Sequence, residues 1–372
     1  MFSNNDKIST RQIFRLFVFD FVGESTLVLP SKLATLAGND GIISIIIGGI
    51  LGSLYLWYLT GVLHSMQTDL VTYMEQSLPT WLNKVILCFF SLHFIAMAGY
   101  GACIFSDVMR KGLIEGESYT LILVLVLLVA GYAVAGGVES RARVYEILFW
   151  ILFVLLFLML ILAAKELDPQ YLTPFFSTSC RAVVKGSIPV LFCLMPLFLL
   201  LFFPAYVEKK NWGKMVRATG GALWFTIGVV VILYVVLLGT FGWKSMATME
   251  YPAVTLMSSI HLRGSFLKRL DAFMVGIWFF TLFALVNVFL HYGKELLQHL
   301  LVKEGNPSKK KTRGILILSM ILVFLVAEWL YYGDIMDIFL DYISFVGGPL
   351  LIVLPAVLLM LQGCFGKRVR KE

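Results

Sequence analysis

Residues 19–30 read FDFVGESTLVLP, an apolar run that is interrupted by charged and small polar residues and ends in a proline. Gly23 costs a helix about 1 kcal/mol relative to alanine, and the hydroxyl groups of Ser25 and Thr26 can satisfy backbone groups that an unwound turn releases. This local pattern predicts a helix that is interrupted at about residues 22–26.

The composition of the whole chain places this run in a membrane. Hydrophobic residues make up 59% of the 372 residues and charged residues 14%, whereas soluble domains carry about 25% charged residues. The apolar residues fall into runs of about 20, the length that a helix needs to cross roughly 30 Å of hydrocarbon. Backbone groups in lipid must pair within such a helix. We therefore predict an all-α integral membrane protein with a single transmembrane domain over residues 1–372.

Ten runs of this kind predict ten transmembrane helices. The first run starts close to Met1, shows no small-residue cleavage site and is followed by further runs, which favours a retained helix over a signal peptide. The predicted spans are 12–36, 41–63, 84–106, 118–138, 144–164, 186–205, 218–241, 271–293, 314–332 and 342–362.

Glu24 lies about 18 Å along the first helix from Gln12, at 1.5 Å per residue, which is near the middle of the bilayer. It shares a helix face with Asp20, four residues earlier. A carboxylate inside the membrane costs about 2.5–3.5 kcal/mol on insertion scales, so the default interpretation is functional. We predict that Glu24 lines a central cavity. The alternative is a protonated or hydrogen-bonded packing residue.

The sixth span carries three prolines, and Pro196 lies about ten residues into it. Proline removes a helix hydrogen bond and clashes with the preceding turn, so an interruption is predicted at about residues 193–197. Transporters built from inverted repeats place broken helices at matching positions in each half, around a midplane site. The two halves would be roughly residues 1–165 and 183–372. The alternative is that these prolines only shape the bundle.

A small polar or zwitterionic ligand is predicted to lie between the two interruptions, because half-helix N-termini present unpaired N–H groups that suit a carboxylate. Gly99 belongs to a surface of small residues on the third span, which either packs on a neighbour or leaves room for a ligand. The predicted ligand-binding residues are Gly23, Glu24, Ser25, Thr26, Gly99, Met195 and Pro196.

The distribution of Lys and Arg orients the chain. With the N-terminus in the cytoplasm, 20 of the 30 basic residues fall in cytoplasmic segments, and the other 10 include Arg263, Lys268 and Arg269. Both termini are therefore predicted to be cytoplasmic. The net charge of +7 is explained by this bias and by attraction to anionic membrane lipid, and not by nucleic-acid binding.

Glu139, Arg143 and Glu146 are spaced four and three residues apart between the fourth and fifth spans. On a helix they would lie on one face and could pair. The spacing predicts a cytoplasmic polar cluster. The alternative is unpaired surface charge.

The sequence shows no Walker loop, no GxSxG or HExxH motif and no paired catalytic carboxylates beside a base. The five cysteines lack metal-ligand spacing. We therefore predict no enzyme activity, no metal site and no cofactor. His93, within the third span, is expected to be a hydrogen-bonded packing residue, with a functional role as the alternative.

Eight short motifs, in order along nearly the whole chain, resemble those of the B subunits of spore germinant receptors. These form the GerAB/GerBB/GerKB-like spore permease family of the amino acid–polyamine–organocation transporter superfamily. The motifs are Ile8–Gln12, the Gly23 segment ending in Leu29-Pro30-Ser31, the loop Gly136–Ile147, Leu172-Thr173-Pro174, Phe241-Gly242, Tyr251-Pro252, Arg269-Leu270-Asp271 and Ile277-Trp278.

This resemblance implies a LeuT-like fold, a 5+5 inverted repeat with broken helices 1 and 6, and a pocket for a small germinant, typically an amino acid. It also implies a complex with an A-type subunit and a C-type lipoprotein subunit in the inner spore membrane. The chain departs from the family where a Gly-Phe-Glu-like stretch often precedes the proline that matches Pro204. Here residues 195–197 read Met-Pro-Leu, without a carboxylate, so Glu24 is expected to carry part of the polar contact.

Three functions remain open from the sequence. The first is a ligand-sensing receptor subunit on a transporter fold, which triggers germination. The second is an amino acid permease coupled to protons or sodium, with Glu24 as the coupling residue. The third is a pore or assembly subunit whose pocket is vestigial.

Overall fold

The computed structural model describes residues 7–112, 116–259, 270–302, 308–333 and 336–369, and the regular structure in these ranges is helical. A 3-10 helix, Met195–Leu201, follows α8. The α-helices of the described residues are α1 (Thr10–Leu27), α2 (Leu29–Ala37), α3 (Gly41–Met66), α4 (Leu70–Ser77), α5 (Thr80–Gly112), α6 (Tyr119–Ala135), α7 (Gly137–Ala163), α8 (Cys180–Cys193), α9 (Trp212–Thr248), α10 (Pro252–Ser259), α11 (Leu270–Leu301), α12 (Lys309–Tyr332), α13 (Met336–Tyr342) and α14 (Gly348–Val369).

Seven helical segments among the described residues are long and apolar enough to cross a membrane. They are Leu29–Met66, Thr80–Gly112, Gly137–Ala163, Lys209–Thr248, Gly276–Leu301, Lys309–Tyr332 and Ile338–Met360. The bent pair Cys180–Cys193 and Met195–Leu201 would form an eighth. The protein is therefore an all-helical, multi-span integral membrane protein.

The predicted number of ten spans depends on two further helices. α1 carries Arg11, Arg15, Asp20 and Glu24 within its 18 residues, and α6 is 17 residues long. α1 thus has four charged residues in 18, whereas each of the seven segments contains an 18-residue stretch with at most two, and α6 is shorter than 18 residues. Ten spans in two inverted halves stays a prediction.

α1 lies at the centre of the bundle, where it packs against α7, α9 and α11. Four consecutive residues, Leu16 to Phe19, are fully buried. Since consecutive residues point in different directions around a helix, α1 is covered on all sides here. A polar group in this buried part of α1 must therefore find its partner inside the protein.

The helix is continuous through residues 22–26, so the predicted unwound turn there is wrong. The hydroxyl groups of Ser25 and Thr26 donate to the carbonyl oxygens of Phe21 and Val22, one turn earlier, and these backbone groups remain in the helix. α1 ends at Leu27 and α2 begins at Leu29. The boundary falls there because the proline at the start of α2 has no N–H to continue the hydrogen-bond ladder.

Gly23 serves helix packing. A Cβ atom at this position would lie 2.9 Å from the carbonyl carbon of Thr281 and 3.0 Å from the backbone nitrogen of Leu282 on α11. Small residues at a membrane helix interface let two backbones approach closely. Gly23 therefore allows α1 and α11 to cross, and does not open the helix.

The predicted interruption at residues 193–197 is confirmed. α8 ends at Cys193, Leu194 leaves the helical conformation at φ −94° and ψ 3°, and the chain continues as the 3-10 helix. The two segments meet at 44°. Pro196 lies at the start of the 3-10 helix, where its missing N–H is tolerated.

A buried ion pair joins α1 to α7. The Arg141 guanidinium donates to the Asp20 carboxylate, and their side chains are 4% and 1% exposed. The Arg141 guanidinium also lies 5.3 Å from the ring centroid of Tyr145, which stacks on Phe19. Each charge compensates the other inside the bundle, so neither can be removed alone without a large cost.

The predicted polar cluster at the start of α7 is confirmed in part. Arg143 and Glu139 form an ion pair one turn apart. Glu146 is bound by α1, where Arg15 lies 2.9 Å and Arg11 3.7 Å from its carboxylate. The carboxylate of Glu146 therefore joins α7 to the first turns of α1.

Several predictions fall outside the described residues. Arg263, Lys268 and Arg269 belong to this group, and so do the side chains of Leu270 and Asp271. The motif Arg269-Leu270-Asp271 is therefore described only by the backbone of its last two residues, and the predicted outer basic connection lies outside the described residues.

We predict that Gly23→Ala destabilises the protein by about 1–3 kcal/mol, the usual cost of overpacking. The added methyl group would meet the α11 backbone, which cannot move as an isolated side chain can. The measurement is thermal denaturation of the purified protein in detergent. Gly228→Ala is the matched control, because nothing lies within 4 Å of a Cβ there. Equal denaturation midpoints for the two variants would contradict the packing role.

We predict that Arg141→Met lowers the free energy of unfolding by about 3–5 kcal/mol, because it leaves the Asp20 carboxylate buried and uncompensated. Lys210→Met is the control, because its ion pair with Glu208 is exposed on both sides and such pairs contribute little to stability. Adding Asp20→Leu to Arg141→Met should restore most of the lost stability, because no unpaired buried charge remains. Denaturation in detergent measures all three, and a double variant that is less stable than Arg141→Met would refute the argument.

Candidate functional site

A cavity of about 240 Å³ lies where α1 passes into α2. Its walls come from α1, α2, α5, α8 and α13 and from the short helical turn that follows α13. The lining residues are Glu24, Val28, Leu29, Lys32, Leu36, Met97, Lys185, Ile188, Pro189, Phe192, Cys193, Leu340, Ile343 and Ser344.

Glu24 supplies the carboxylate of this cavity. Its side chain is half-buried, and its Oε1 atom accepts a hydrogen bond from the Tyr100 hydroxyl at 3.4 Å. Tyr100 is almost fully buried, and its ring stacks on Phe339 with 5.3 Å between centroids. Tyr100 is therefore held by its packing and presents its hydroxyl group to the carboxylate.

Two lysines supply positive charge to the same cavity. Lys32 lies on α2, eight residues after Glu24, and is near enough to attract the carboxylate electrostatically. Lys185 lies on α8 and is exposed. The cavity thus offers a carboxylate at one point and ammonium groups at others.

The remaining wall is largely apolar. Met97, Ile188, Phe192, Leu340 and Ile343 face the space between the charged groups. Separated charges of both signs around an apolar surface can hold a small zwitterion and cover an apolar substituent on it.

Of the predicted segment Gly23–Thr26, Glu24 alone lines this cavity. Gly23 packs against α11, and the Ser25 hydroxyl is turned back onto its own helix. Thr26 accepts a hydrogen bond from the indole N–H of Trp278 on α11 at 3.1 Å. These three residues position α1 and are covered by protein, because α1 is buried on the sides that they occupy.

The other predicted contacts also lie elsewhere. Gly99 packs on α12, where a Cβ would lie 2.5 Å from the Val326 side chain. Met195 lines a neighbouring void of about 10 Å³, which shares Met97 and Ile343 with the cavity, and Pro196 is buried in the 3-10 helix. The interruption of the predicted sixth span does reach the cavity, but through Cys193 at the end of α8.

His93 is a hydrogen-bonded packing residue, as expected. Its Nδ1 atom lies 3.0 Å from the Tyr342 hydroxyl, and its ring stacks on Phe89. Among the described residues, no group of three or more His, Cys, Asp or Glu side chains is placed to hold a metal ion.

Lys32, Lys185 and Tyr100 line or support the cavity and were absent from the predicted site. Lys32 carried a usable signal, because an ionisable residue within a predicted span is read first as functional. Tyr100 carried none, since a tyrosine among apolar residues is ordinary packing. Their assembly around Glu24 depends on how α2, α5 and α8 meet.

The fold is similar to that of a solved structure titled as the substrate-bound outward-open state of a Na⁺-coupled sialic acid symporter. The TM-score is 0.66 at 13% sequence identity, over 93% of this chain and 78% of the other. At this identity the likeness shows the fold alone, which is the LeuT-like transporter fold that the family resemblance implies.

Similar sequences are found among spore germination proteins of Bacillus subtilis (strain 168). Spore germination protein A2 is 21% identical over 347 residues, which are 91% of each chain. Spore germination protein KB is 26% identical over 340 residues, 88% of each chain. Spore germination protein B2 is 23% identical over 372 residues, 95% of this chain and 94% of the relative.

Residues 7–332 match the model of a family described as spore germination protein. This match covers most of the chain, and the relatives above cover nearly all of it. The chain therefore belongs to the spore permease family of spore germination proteins.

Proposed function

We propose that this protein is the membrane subunit of a spore germinant receptor and binds a small germinant, an amino acid, in the cavity at Glu24. The observation that carries the proposal is the arrangement of one carboxylate, two lysines and an apolar wall around about 240 Å³. An amino acid is a zwitterion of complementary charge, and the relatives of this chain are spore germination proteins.

In this proposal the ligand ammonium group binds Glu24, and the ligand carboxylate binds Lys32 or Lys185. The apolar substituent of the ligand lies against Phe192 and Ile343. Charge-assisted hydrogen bonds of this kind contribute about 1.5–3 kcal/mol each. The apolar wall favours amino acids with apolar side chains over strongly polar ones.

Ligand binding would act on the relative packing of the two halves. Glu24, Lys32 and Met97 belong to the predicted first half, whereas Phe192 and Ile343 belong to the second. A ligand that contacts both halves stabilises the packing in which its contacts are complete. Its effect on the receptor is limited by the difference between its affinities for the two packings.

We further propose that the fold comprises ten transmembrane helices in a 5+5 inverted repeat, with both termini in the cytoplasm of the spore and the protein in the inner spore membrane. In this arrangement α1 with α2 forms the first span, and α8 with the 3-10 helix forms the sixth. Each pair has a proline at its junction, at Pro30 and Pro196. A-type and C-type lipoprotein subunits are the partners that the family resemblance implies.

An amino acid permease coupled to protons or sodium is the second candidate. The observation in its favour is Glu24, a carboxylate within the bundle that lines the cavity. Uptake of labelled amino acids into proteoliposomes would support the permease. A ligand that binds without uptake supports the receptor, and a protein without ligand binding would be a pore or assembly subunit.

We predict that Glu24→Gln weakens the response to an amino acid germinant by about tenfold or more, because one charge-assisted contact is lost. The measurement is germination of spores that carry the variant, as a function of germinant concentration, together with binding to the purified protein. Glu208→Gln is the control, because it removes a carboxylate that is exposed and outside the cavity.

The protein level in spore membranes should be equal for Glu24→Gln and Glu208→Gln. An unchanged concentration dependence in Glu24→Gln at normal protein level would show that the ligand binds elsewhere. Reduced binding without altered protein level supports the site.

We predict that Lys32→Gln reduces discrimination between an amino acid and its carboxamide analogue. The wild-type protein should favour the amino acid, because only a carboxylate can pair with the lysine ammonium group. Lys210→Gln is the control, since Lys210 is highly exposed and paired with Glu208. If Lys32→Gln retains the full preference for the amino acid, Lys32 does not contact the ligand carboxylate.

A further inference from the structure

A second and larger groove, of about 500 Å³, lies between α1, α7 and α9. It is separate from the Glu24 cavity, with which it shares no lining residue. Six of its eleven lining residues are aromatic, and two residues on its α7 wall, Trp150 and Val154, are 63% and 61% exposed. The groove is therefore open to the surroundings of the bundle.

One end of the groove is basic. Arg11 and Arg15 both line it, and both lie near the single carboxylate of Glu146. Two guanidinium groups and one carboxylate give this cluster a charge of +1. The Arg15 side chain is 13% exposed and lies 2.9 Å from Glu146, whereas the Arg11 side chain is 80% exposed at 3.7 Å. Arg11 is the group that can bind a further anion.

α9 adds positive charge at the same end. Ala218 lines the groove, and the exposed residue Arg217 directly precedes it. Lys214, one turn earlier, is also exposed. The first turns of α1 and α9 therefore form a basic rim.

The dimensions of the groove match one leaflet of a bilayer. From Glu146 at the rim to Phe157 at the far end, α7 advances 11 residues, about 16 Å at 1.5 Å per residue. One leaflet contributes about 15 Å of hydrocarbon. Trp150 lies one turn below Glu146, at the level where tryptophan is enriched in membrane proteins.

We propose that this groove binds an anionic glycerophospholipid, with its phosphate at Arg11 and an acyl chain along the aromatic wall of α7. The order of chemistry along the groove, first cationic and then aromatic and apolar, is that of a phospholipid read from headgroup to tail. The opposing face of a partner helix would match the apolar wall but would leave the basic rim without an anion.

The test compares binding of phosphatidylglycerol and phosphatidylcholine to the purified full-length protein by native mass spectrometry in a neutral detergent. Wild-type protein should prefer phosphatidylglycerol. Arg11→Gln should weaken its binding by about fivefold, the factor that corresponds to one basic group near a membrane surface. Arg313→Gln is the control, because it removes an exposed arginine at the start of α12.

A second variant tests the acyl-chain part of the groove. Val154→Trp should lower the binding of both lipids, because the larger side chain fills space beside Phe153 and Phe157. Leu325→Trp on α12 is the matched control, since Leu325 is exposed to a similar extent, 55% against 61%, but lies outside the groove. Both substitutions are at exposed positions, so folding should be retained in each.

Three results would overturn the proposal. They are equal binding of the two lipids by wild-type protein, equal effects of Arg11→Gln and Arg313→Gln, and equal effects of Val154→Trp and Leu325→Trp.

A photo-crosslinking residue in place of Val154 adds a test in spore membranes. Crosslinks to phospholipid support the assignment, whereas crosslinks to a protein would assign the groove to a partner subunit and refute it.

Discussion

The ion pair between Asp20 and Arg141 holds α1 in the centre of the bundle. Both side chains are almost fully buried, and they come from helices whose paired residues are 121 positions apart in the chain. A buried charge without its partner costs several kcal/mol, so α1 cannot rotate away from α7 without a large loss. On another side, the contact of Gly23 with the α11 backbone prevents translation, because there is no side chain between the two helices to rearrange.

These two contacts explain why Glu24 faces the cavity. It follows Asp20 by one helical turn, and the bonds that Ser25 and Thr26 make to their own helix keep this turn intact. The direction of the Glu24 side chain is thus set by a rigid helix and not by a flexible loop. Preorganised groups of this kind lose little conformational entropy on ligand binding. The flexible partners are the lysines, which can adjust to ligands of different size.

The charges at the two ends of α1 serve different purposes. At its start, Arg11 and Arg15 lie close to Glu146, and Arg11 is exposed at the surface of the bundle. At its end, Glu24 and Lys32 of α2 line the same cavity. α1 therefore connects the basic rim with the cavity, and the buried ion pair with Arg141 lies between them. A shift of α1 caused at one end must be accommodated by that pair or transmitted past it.

The sequence by itself determined that the protein is helical and embedded in a membrane, because hydrocarbon thickness and backbone hydrogen bonding leave few alternatives for apolar runs of this length. It also located the interruption near Pro196, since a missing N–H acts locally. It identified Glu24 as a candidate cavity residue, because a carboxylate that faces lipid is energetically costly. The tertiary structure decided the role of Gly23. A glycine can either weaken its own helix or let a second helix pack closely against it, and only the position of α11 distinguishes the two roles. The tertiary structure likewise decided that Arg141 pairs with Asp20 and that Lys32 and Lys185 share the cavity with Glu24, because such contacts join helices that are distant in the chain.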